Sequence, residues 1–379
     1  METLTHRAGR TPDQLVRPVV RSIEPYEWEE SSEALARRFG LDPRDVLRFD
    51  MNTAPAPPAA LDEALAHVGR ERRINEYFDP HYARLTEAIA AYNGVSTSNI
   101  LIGAGADEVV AVIVAAFIEP GGRAAMLLPT FPMCRLYTEQ HGGTVAAVPY
   151  DEGFQGPLNA LIEAAQEAQL VFLCNPNNPS GTAFTLAEVE RLVAAAPGGV
   201  IVDEAYFEYH GQTALPLIER YPNLIVVRTF SKAFGMAGAR VGYCLAAPAM
   251  IGLLNRLRPP NSVTYMSALL AEAMLGRLAD VQAAAAATVL QREALRGSLQ
   301  GLGLHVWPSR GNFLLARLGG ADGARRAEGV HQALLRRGLV LRGYRGHLRL
   351  GDCLRMTVRT PADNARLLAE LGAALADHD

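Results

Sequence analysis

Lys232 is the residue on which chemistry is most easily built. It follows 224–227, an apolar, β-branched run with the length and composition of a buried strand, so the lysine lies just past a strand end. Thr229 and Ser231 precede it, glycines 235, 238 and 242 loosen the backbone after it, and Arg240 follows. An amine so placed can form an imine with an aldehyde, while the hydroxyls and guanidinium can hold a phosphate through charge-assisted hydrogen bonds of roughly 1.5–3 kcal/mol each. Pyridoxal phosphate offers both groups. A merely solvated lysine is the competing reading, and the coincidence of hydroxyls, arginine and a glycine-rich strand exit weighs against it.

Other strand exits supply complementary groups. Gly105-Ala106-Asp107 follows the run 100–102 and opens an apolar helix at 109–117, which offers free backbone N–H groups and a favourable dipole to an anion. Asn175-Pro176-Asn177-Asn178-Pro179-Ser180-Gly181 is a rigid turn presenting side-chain amides, or simply an Asx/Pro turn. The run 200–202 delivers Asp203, a carboxylate that needs a cation if it is buried. A protonated pyridine nitrogen meets that need and turns the ring into an electron sink; a structural pairing with an arginine is the alternative. Tyr206, three residues on, can reach a ring oxygen.

These groups require a scaffold of strands and helices in alternation. Apolar runs at 100–102, 124–128, 145–148, 170–174, 200–202, 224–227 and 243–246 are separated mostly by helical patterns, which predicts a mostly parallel sheet covered by helices, with ligands at the carboxyl ends of its strands. After Pro259-Pro260 the texture changes: an Ala-rich helix or broken pair at 267–299, then short strands at 304–307, 313–316, 339–341 and 354–358 with helices at 324–337 and 362–376. The expected fold class is α/β, with residues 48–258 as the large domain, 259–379 as a smaller α+β domain, and 1–47 as an arm that joins the small domain.

The 379 residues carry 36 basic and 40 acidic side chains, a formal net charge of −4, so no global basic surface points to nucleic acid or anionic membrane. No run reaches the roughly 18 apolar residues of a membrane span. Cys134, Cys174, Cys244 and Cys353 have no metal-ligand spacing and read as reduced thiols, so no metal is expected and the cytoplasm is the expected compartment. A regulator fused to a DNA-binding head is disfavoured, because the first 50 residues lack the length and charge of such a head.

Taken together, Thr229 to Tyr243, Asp-Glu-Ala-Tyr at 203–206, Asn-Pro-Asn-Asn-Pro-Ser-Gly at 175–181 and Gly-Ala-Asp-Glu at 105–108 resemble the fold type I pyridoxal-phosphate aminotransferases. The histidinol-phosphate aminotransferase branch is the most similar, through Pro25-Tyr26, Tyr77 with Asp79-Pro80, and Leu354-Arg355. The resemblance implies that Lys232 carries the cofactor and shuttles the proton, that Asp203 binds the pyridine nitrogen, and that Tyr206 and Asn178 bind the ring oxygen. It implies that Phe131 stacks on the ring and that the backbone at Ala106 and Asp107, with Thr229, Ser231 and Arg240, holds the phosphate. Tyr77 would reach that phosphate from the other subunit of a homodimer with shared active sites. Arg355, beside Asn312, would take the substrate carboxylate, and Tyr26 and Arg342 would line the distal end.

The implied activity is transfer of an amino group between an amino acid, or an amine such as histidinol phosphate, and a 2-oxo acid. Decarboxylation, or elimination and cyclisation on an arginine-like amino acid, would use the same cofactor set. Departures from the branch pattern lie in segments expected at the substrate site: Thr53-Ala54 after Asn52, Glu27, Glu29 and Glu30 after Tyr26, Glu76 in place of an arginine, and Arg359 in place of a glycine. The added acids predict a neutral or cationic substrate side chain over a phosphate.

Overall fold

The computed structural model describes residues 11–24, 30–71, 75–320 and 322–378. Its strands, in chain order, are β1 (Leu47–Arg48), β2 (Ile100–Gly103), β3 (Arg123–Leu128), β4 (Thr144–Pro149), β5 (Leu170–Cys174), β6 (Gly199–Asp203), β7 (Leu224–Thr229), β8 (Gly242–Ala246), β9 (His305–Val306), β10 (Phe313–Arg317), β11 (Leu339–Val340), β12 (Arg342–Gly343) and β13 (Cys353–Thr357). Seven of them form the large sheet in the order β2-β8-β7-β6-β5-β3-β4. Only β8 runs antiparallel to its neighbours, so the carboxyl ends of β2, β3, β5, β6 and β7 emerge along one edge.

The continuous apolar runs are explained by burial on both faces. In β5, Leu170, Phe172 and Cys174 enter one core while Val171 and Leu173 enter the other; in β7, Ile225 and Val227 alternate with Leu224 and Val226 in the same way. Full burial of each such aliphatic side chain stabilises the sheet by roughly 1.5–3 kcal/mol. Helix Gly105–Phe117 packs on one face, with Val109, Val110, Val112, Ile113 and Val114 buried.

The small domain is a four-stranded antiparallel sheet, β12-β13-β10-β9, packed against helices Leu278–Gly301, Gly323–Arg336 and Pro361–Ala376. The chain enters this domain early. β1 pairs in parallel with β11, and Ser31 caps helix Ser32–Phe39, which Gly40 ends in the left-handed conformation. The polar, Pro/Arg-containing composition of residues 1–22 predicts a mobile arm, but its described part forms two short helices, Pro12–Leu15 and Pro18–Ser22, and Arg17 donates to the carbonyl of Gln140 at 3.1 Å.

The expected boundary at 258/259 falls ahead of helix Tyr265–Leu275, whose Ala268, Leu270, Ala271 and Met274 are buried in the large core with Leu85 and Ile89. That helix therefore packs with the large domain, and the chain departs only after a 79° bend into Leu278–Gly301. Among the described residues no single helix is long and apolar enough to cross a membrane.

One close approach fixes the helix that must face an anion. A Cβ on Gly242 would lie 2.2 Å from the backbone nitrogen of Ala106 and 2.4 Å from the carbonyl carbon of Gly105, so β8 and the start of helix Gly105–Phe117 touch backbone to backbone. We expect Gly242→Ala to destabilise the protein by about 1–3 kcal/mol in urea unfolding. Gly238→Ala, where a Cβ meets nothing within 4 Å, should stay within about 0.5 kcal/mol of wild type. Equal stabilities for the two variants would contradict the close packing.

Candidate active site

The carboxyl edge of the sheet and the β12–β13 side of the small domain enclose a cavity of about 520 Å³ that holds Lys232, Phe131, Asn178, Arg342 and Arg355. Lys232 follows β7 and Ser231; its Nζ donates to the carbonyl oxygen of Met51 at 3.2 Å and lies 5.8 Å from the centre of the Tyr206 ring. Burial, with the nearby Arg355 guanidinium, lowers its pKa to about 8. An appreciable fraction of the amine is therefore neutral and nucleophilic near neutral pH.

Asp203 ends β6, and only 4% of it is exposed. Its Oδ1 accepts from the N–H of Ala205 at 3.0 Å, and among the described residues no ion pair involves it. Burial raises its carboxyl to about 7. The arginine that could have neutralised it serves the next residue instead: Arg228 pairs with Glu204 at 2.9 Å, both side chains almost wholly buried, and is further held by Asn93 and Thr213. The structural reading of Asp203, pairing with an arginine, thus describes Glu204.

Tyr206 is buried, which pushes its phenol up in pKa, and its oxygen accepts from Nδ2 of Asn52 at 3.0 Å. Asn52 sits at φ +52°, a conformation that asparagine tolerates better than most residues, and its N–H donates to Thr357 Oγ1 at 2.9 Å. Tyr206 is thereby tied to β13, the strand that carries Arg355. Arg355 directs one Nη onto Asn178 Oδ1 and the other onto the carbonyl oxygen of Asp50, while its buried Nε has no partner among the described residues. Asn178 consequently turns its Nδ2 away from the arginine, free to donate elsewhere. The turns that carry Phe131 and Asn178 are locked together by Asn177, which accepts from Thr130 Oγ1 at 2.7 Å and donates to the carbonyl of Pro129 at 3.2 Å.

An anion cradle lies at the start of helix Gly105–Phe117. The first-turn N–H groups, Ala106 and Asp107 among them, have no partner within a helix. Thr229 and Ser231 are buried beside the exit of β7, and Arg240, at φ +51°, brings Nη2 within 2.7 Å of Asp107 Oδ2. Gly105 must lack a side chain, since a Cβ there would lie 2.6 Å from Arg240 Nη2. An uncompensated buried carboxylate, a lysine of lowered pKa and an anion cradle are matched by one molecule bearing a protonatable ring nitrogen, an aldehyde and a phosphate. Pyridoxal phosphate fits this donor set.

Other expected residues lie further out. Asn312 is 1% exposed and does not line the cavity; its Nδ2 donates to the carbonyl of Asn52 at 3.0 Å, which places it behind the site. Tyr77 is 92% exposed and lines, with Glu76 and Asp79, a separate pocket that does not include Lys232. Tyr26, Glu27 and Glu29 lie outside the described residues. Glu30 pairs with Arg38 at 2.8 Å, and Arg359 pairs with Asp363 at 3.0 Å and reaches the carbonyl of Arg48. None of Glu30, Glu76 and Arg359 lines this cavity, although Glu30 lines a larger chamber beside it. The cavity wall instead carries Arg135, Arg342 and Arg355 beside Lys232, with Asp50 as its acid, itself paired with Arg48 at 2.5 Å. This lining is cationic, whereas the expectation of a neutral or cationic substrate side chain rests on acids of which Glu30 and Glu76 do not line this cavity and Glu27 and Glu29 lie outside the described residues.

Sequence reasoning missed Asn52, Arg135, Tyr344 and His347 as wall residues. Only Asn52 carries a local signal, an asparagine between two non-helical segments that suits a left-handed backbone.

The model of the family described as aminotransferase class I and II matches residues 45–371. The chain is 36% identical over 360 residues to the histidinol-phosphate aminotransferase of Roseiflexus castenholzii, covering 93% of this chain and 96% of that one. It is 36% identical over 367 residues to the protein of the same name from Symbiobacterium thermophilum, covering 96% and 99%. Among solved structures, histidinol-phosphate aminotransferase from Sinorhizobium meliloti in complex with pyridoxal-5'-phosphate superposes with a TM-score of 0.87 at 29% identity, covering 96% of this chain and 98% of that one.

A carboxylate whose folded pKa is near 7 takes up a proton on folding between about 4 and 7, so folding is increasingly penalised as pH rises through that window and fully so above it. In cofactor-free protein, Asp203→Asn should therefore be more stable than wild type by about 1–3 kcal/mol at pH 8, the gain shrinking towards pH 4. Urea titrations at pH 8 and 4.5 check this. A variant less stable than wild type at pH 8 would contradict an unpaired buried charge.

Proposed function

Given that the chain belongs to the class I and II aminotransferases, we propose that this pyridoxal-phosphate-dependent transferase exchanges an amino group between a phosphorylated amine of the histidinol phosphate type and a 2-oxo acid. The observation that carries the substrate assignment is the cavity wall, where Arg342, Arg355 and Lys232, together with an Arg135 that pairs with Glu139 at 2.7 Å, face a single acid already neutralised by Arg48. Such a wall favours a dianion over a neutral or cationic side chain by on the order of a few kcal/mol. The names of the relatives support the same reading.

Pyridoxal phosphate, when bound, supplies an aldehyde that condenses with amines and a ring that takes up the electron pair left when the α-proton departs. The protein's residues supply the rest. Lys232, of lowered basicity, would be the nucleophile that holds the cofactor aldehyde and the base that takes and returns the α-proton of the substrate. Asp203 would hold the ring nitrogen protonated, which would give its buried carboxylate a cation. Tyr206 and Asn178 would donate to the ring oxygen, and Phe131 would pack against the ring. Arg240, Thr229, Ser231 and the helix start would hold the phosphate. Arg355, braced by Asp50 and Asn178, presents a fixed guanidinium to the carboxylate of the oxo acid, with Arg342 towards the distal end.

With a 2-oxo acid as acceptor, kcat/KM for histidinol phosphate should exceed those for histidine, arginine and phenylalanine by at least about tenfold. A preference for any of the three unphosphorylated amino acids would overturn the substrate assignment while leaving the cofactor chemistry intact.

We also place the enzyme in the cytoplasm, as a homodimer with shared sites. Four buried free thiols support the compartment. The exposed Tyr77, a large aromatic with no burial in its own protomer, supports the dimer. Mixed Tyr77→Ala and Lys232→Ala protomers should regain activity, because a heterodimer then contains one site with both native residues. Loss of activity in each variant without recovery on mixing would place Tyr77 in its own protomer's site.

A further inference from the structure

The substrate cavity does not end at Arg342. It adjoins a larger chamber of about 750 Å³, and Asp50, Arg342, Tyr344 and His347 line both. These four residues form the junction at the distal end of the substrate site. Asp50 is occupied by Arg48, and among the described residues no hydrogen bond is made by the Tyr344 hydroxyl or by Nε2 of His347, both on the turn that follows β12.

That turn is built so that His347 has one proton in one place. Its Nδ1 accepts from the backbone N–H groups of Arg349 and Leu350, both at 3.2 Å, and so carries the lone pair. The proton of the neutral ring is therefore on Nε2, the nitrogen directed away from the turn. The turn is itself anchored: Leu350 is 1% exposed, Arg349 donates to the carbonyl of Tyr150, and the N–H of His347 donates to the carbonyl of Tyr344 at 3.0 Å. The Tyr344 ring lies 6.4 Å from that of His347, and Tyr344 feels the charges of both Arg355 and Arg342.

We infer that His347, through Nε2–H, and Tyr344, through its hydroxyl, are specificity-determining donors for a phosphate monoester at the distal end of the substrate. The inference rests on the reading of a phosphorylated amine as substrate and extends it to residues of this chain. The stereochemistry of the anion sets the expected selectivity. A planar carboxylate is filled by one bidentate guanidinium, whereas a tetrahedral phosphate offers three acceptor oxygens and leaves at least one for donors outside that fork. Removing His347 or Tyr344 donors should thus weaken the phosphate substrate and spare an amino acid, such as glutamate, that bears carboxylates in place of the phosphate.

Three variants at 347 separate a donor from a mere turn support. Asparagine and aspartate can accept from backbone N–H groups two and three residues on, as Nδ1 does here, and so keep the turn without the Nε2 donor; aspartate also adds a negative charge. Alanine removes both functions. With the holoenzyme, His347→Asn and Tyr344→Phe should each raise KM for histidinol phosphate by about tenfold, and His347→Asp by about a hundredfold or more, with kcat and KM for glutamate within about twofold of wild type. The dissociation constant of propyl phosphate, an amine-free phosphate monoester, should rise in the same order in calorimetric titrations. If only His347→Ala is impaired, or if both substrates suffer equally, the turn is structural and the inference falls. Failure of wild type to turn over histidinol phosphate would overturn the parent reading instead, a result the variants cannot imitate.

Discussion

A carboxylate taken out of water without a cation to meet it is the constraint from which the rest of this protein can be understood. Asp203 sits at the end of a strand buried at every position, and that burial pushes its pKa up. The fold tolerates that penalty because β6 lies in the middle of seven strands whose two faces are covered by separate apolar cores. One residue on, Glu204 is buried as deeply but is matched by Arg228, Thr213 and the backbone of Ala214. The two neighbours show the difference between a buried charge satisfied by the protein and one left for a ligand.

The site is assembled from both domains, and the joint between them is chemical as well as mechanical. Asn52 links Tyr206 on the sheet side with Thr357 on β13, and Arg355 of that same strand reaches Asn178 and the Asp50 carbonyl on the other side. The clamp for a carboxylate and the donors for a ring oxygen therefore share supports.

Much of this was legible in the sequence, for physical reasons. Buried parallel strands need continuous apolar runs, and the residues just beyond them inherit a common edge; Lys232, Asp203, Asn178 and the Gly105 turn can be placed that way before any coordinates exist. Helix Tyr265–Leu275, expected beyond the boundary, packs in the large core; it is buried around most of its circumference, and a largely apolar helix does not reveal which core it joins. The distance of the acids at 30 and 76 from the cavity of Lys232 is set by tertiary packing. Asn52, Tyr344 and His347 stayed hidden for the same reason in reverse: their partners on the cavity wall are brought together only by the pairing of distant segments.

The earliest part of the small domain has a consequence for how the protein is made. Asn52 donates to Thr357 across 305 residues, and β1 waits for β11, which is likewise translated near the end of the chain. At ~5–20 residues per second, a ribosome takes roughly 15–60 s to deliver the missing partner. Throughout that interval the sheet of the large domain can close behind the ribosome, while β1 and the apolar face of helix Ser32–Phe39 remain without their partners. The nascent chain thus passes through a state in which the cofactor cradle is complete but the carboxylate clamp does not yet exist, and shielding its N-terminal segment during synthesis is a task for chaperones.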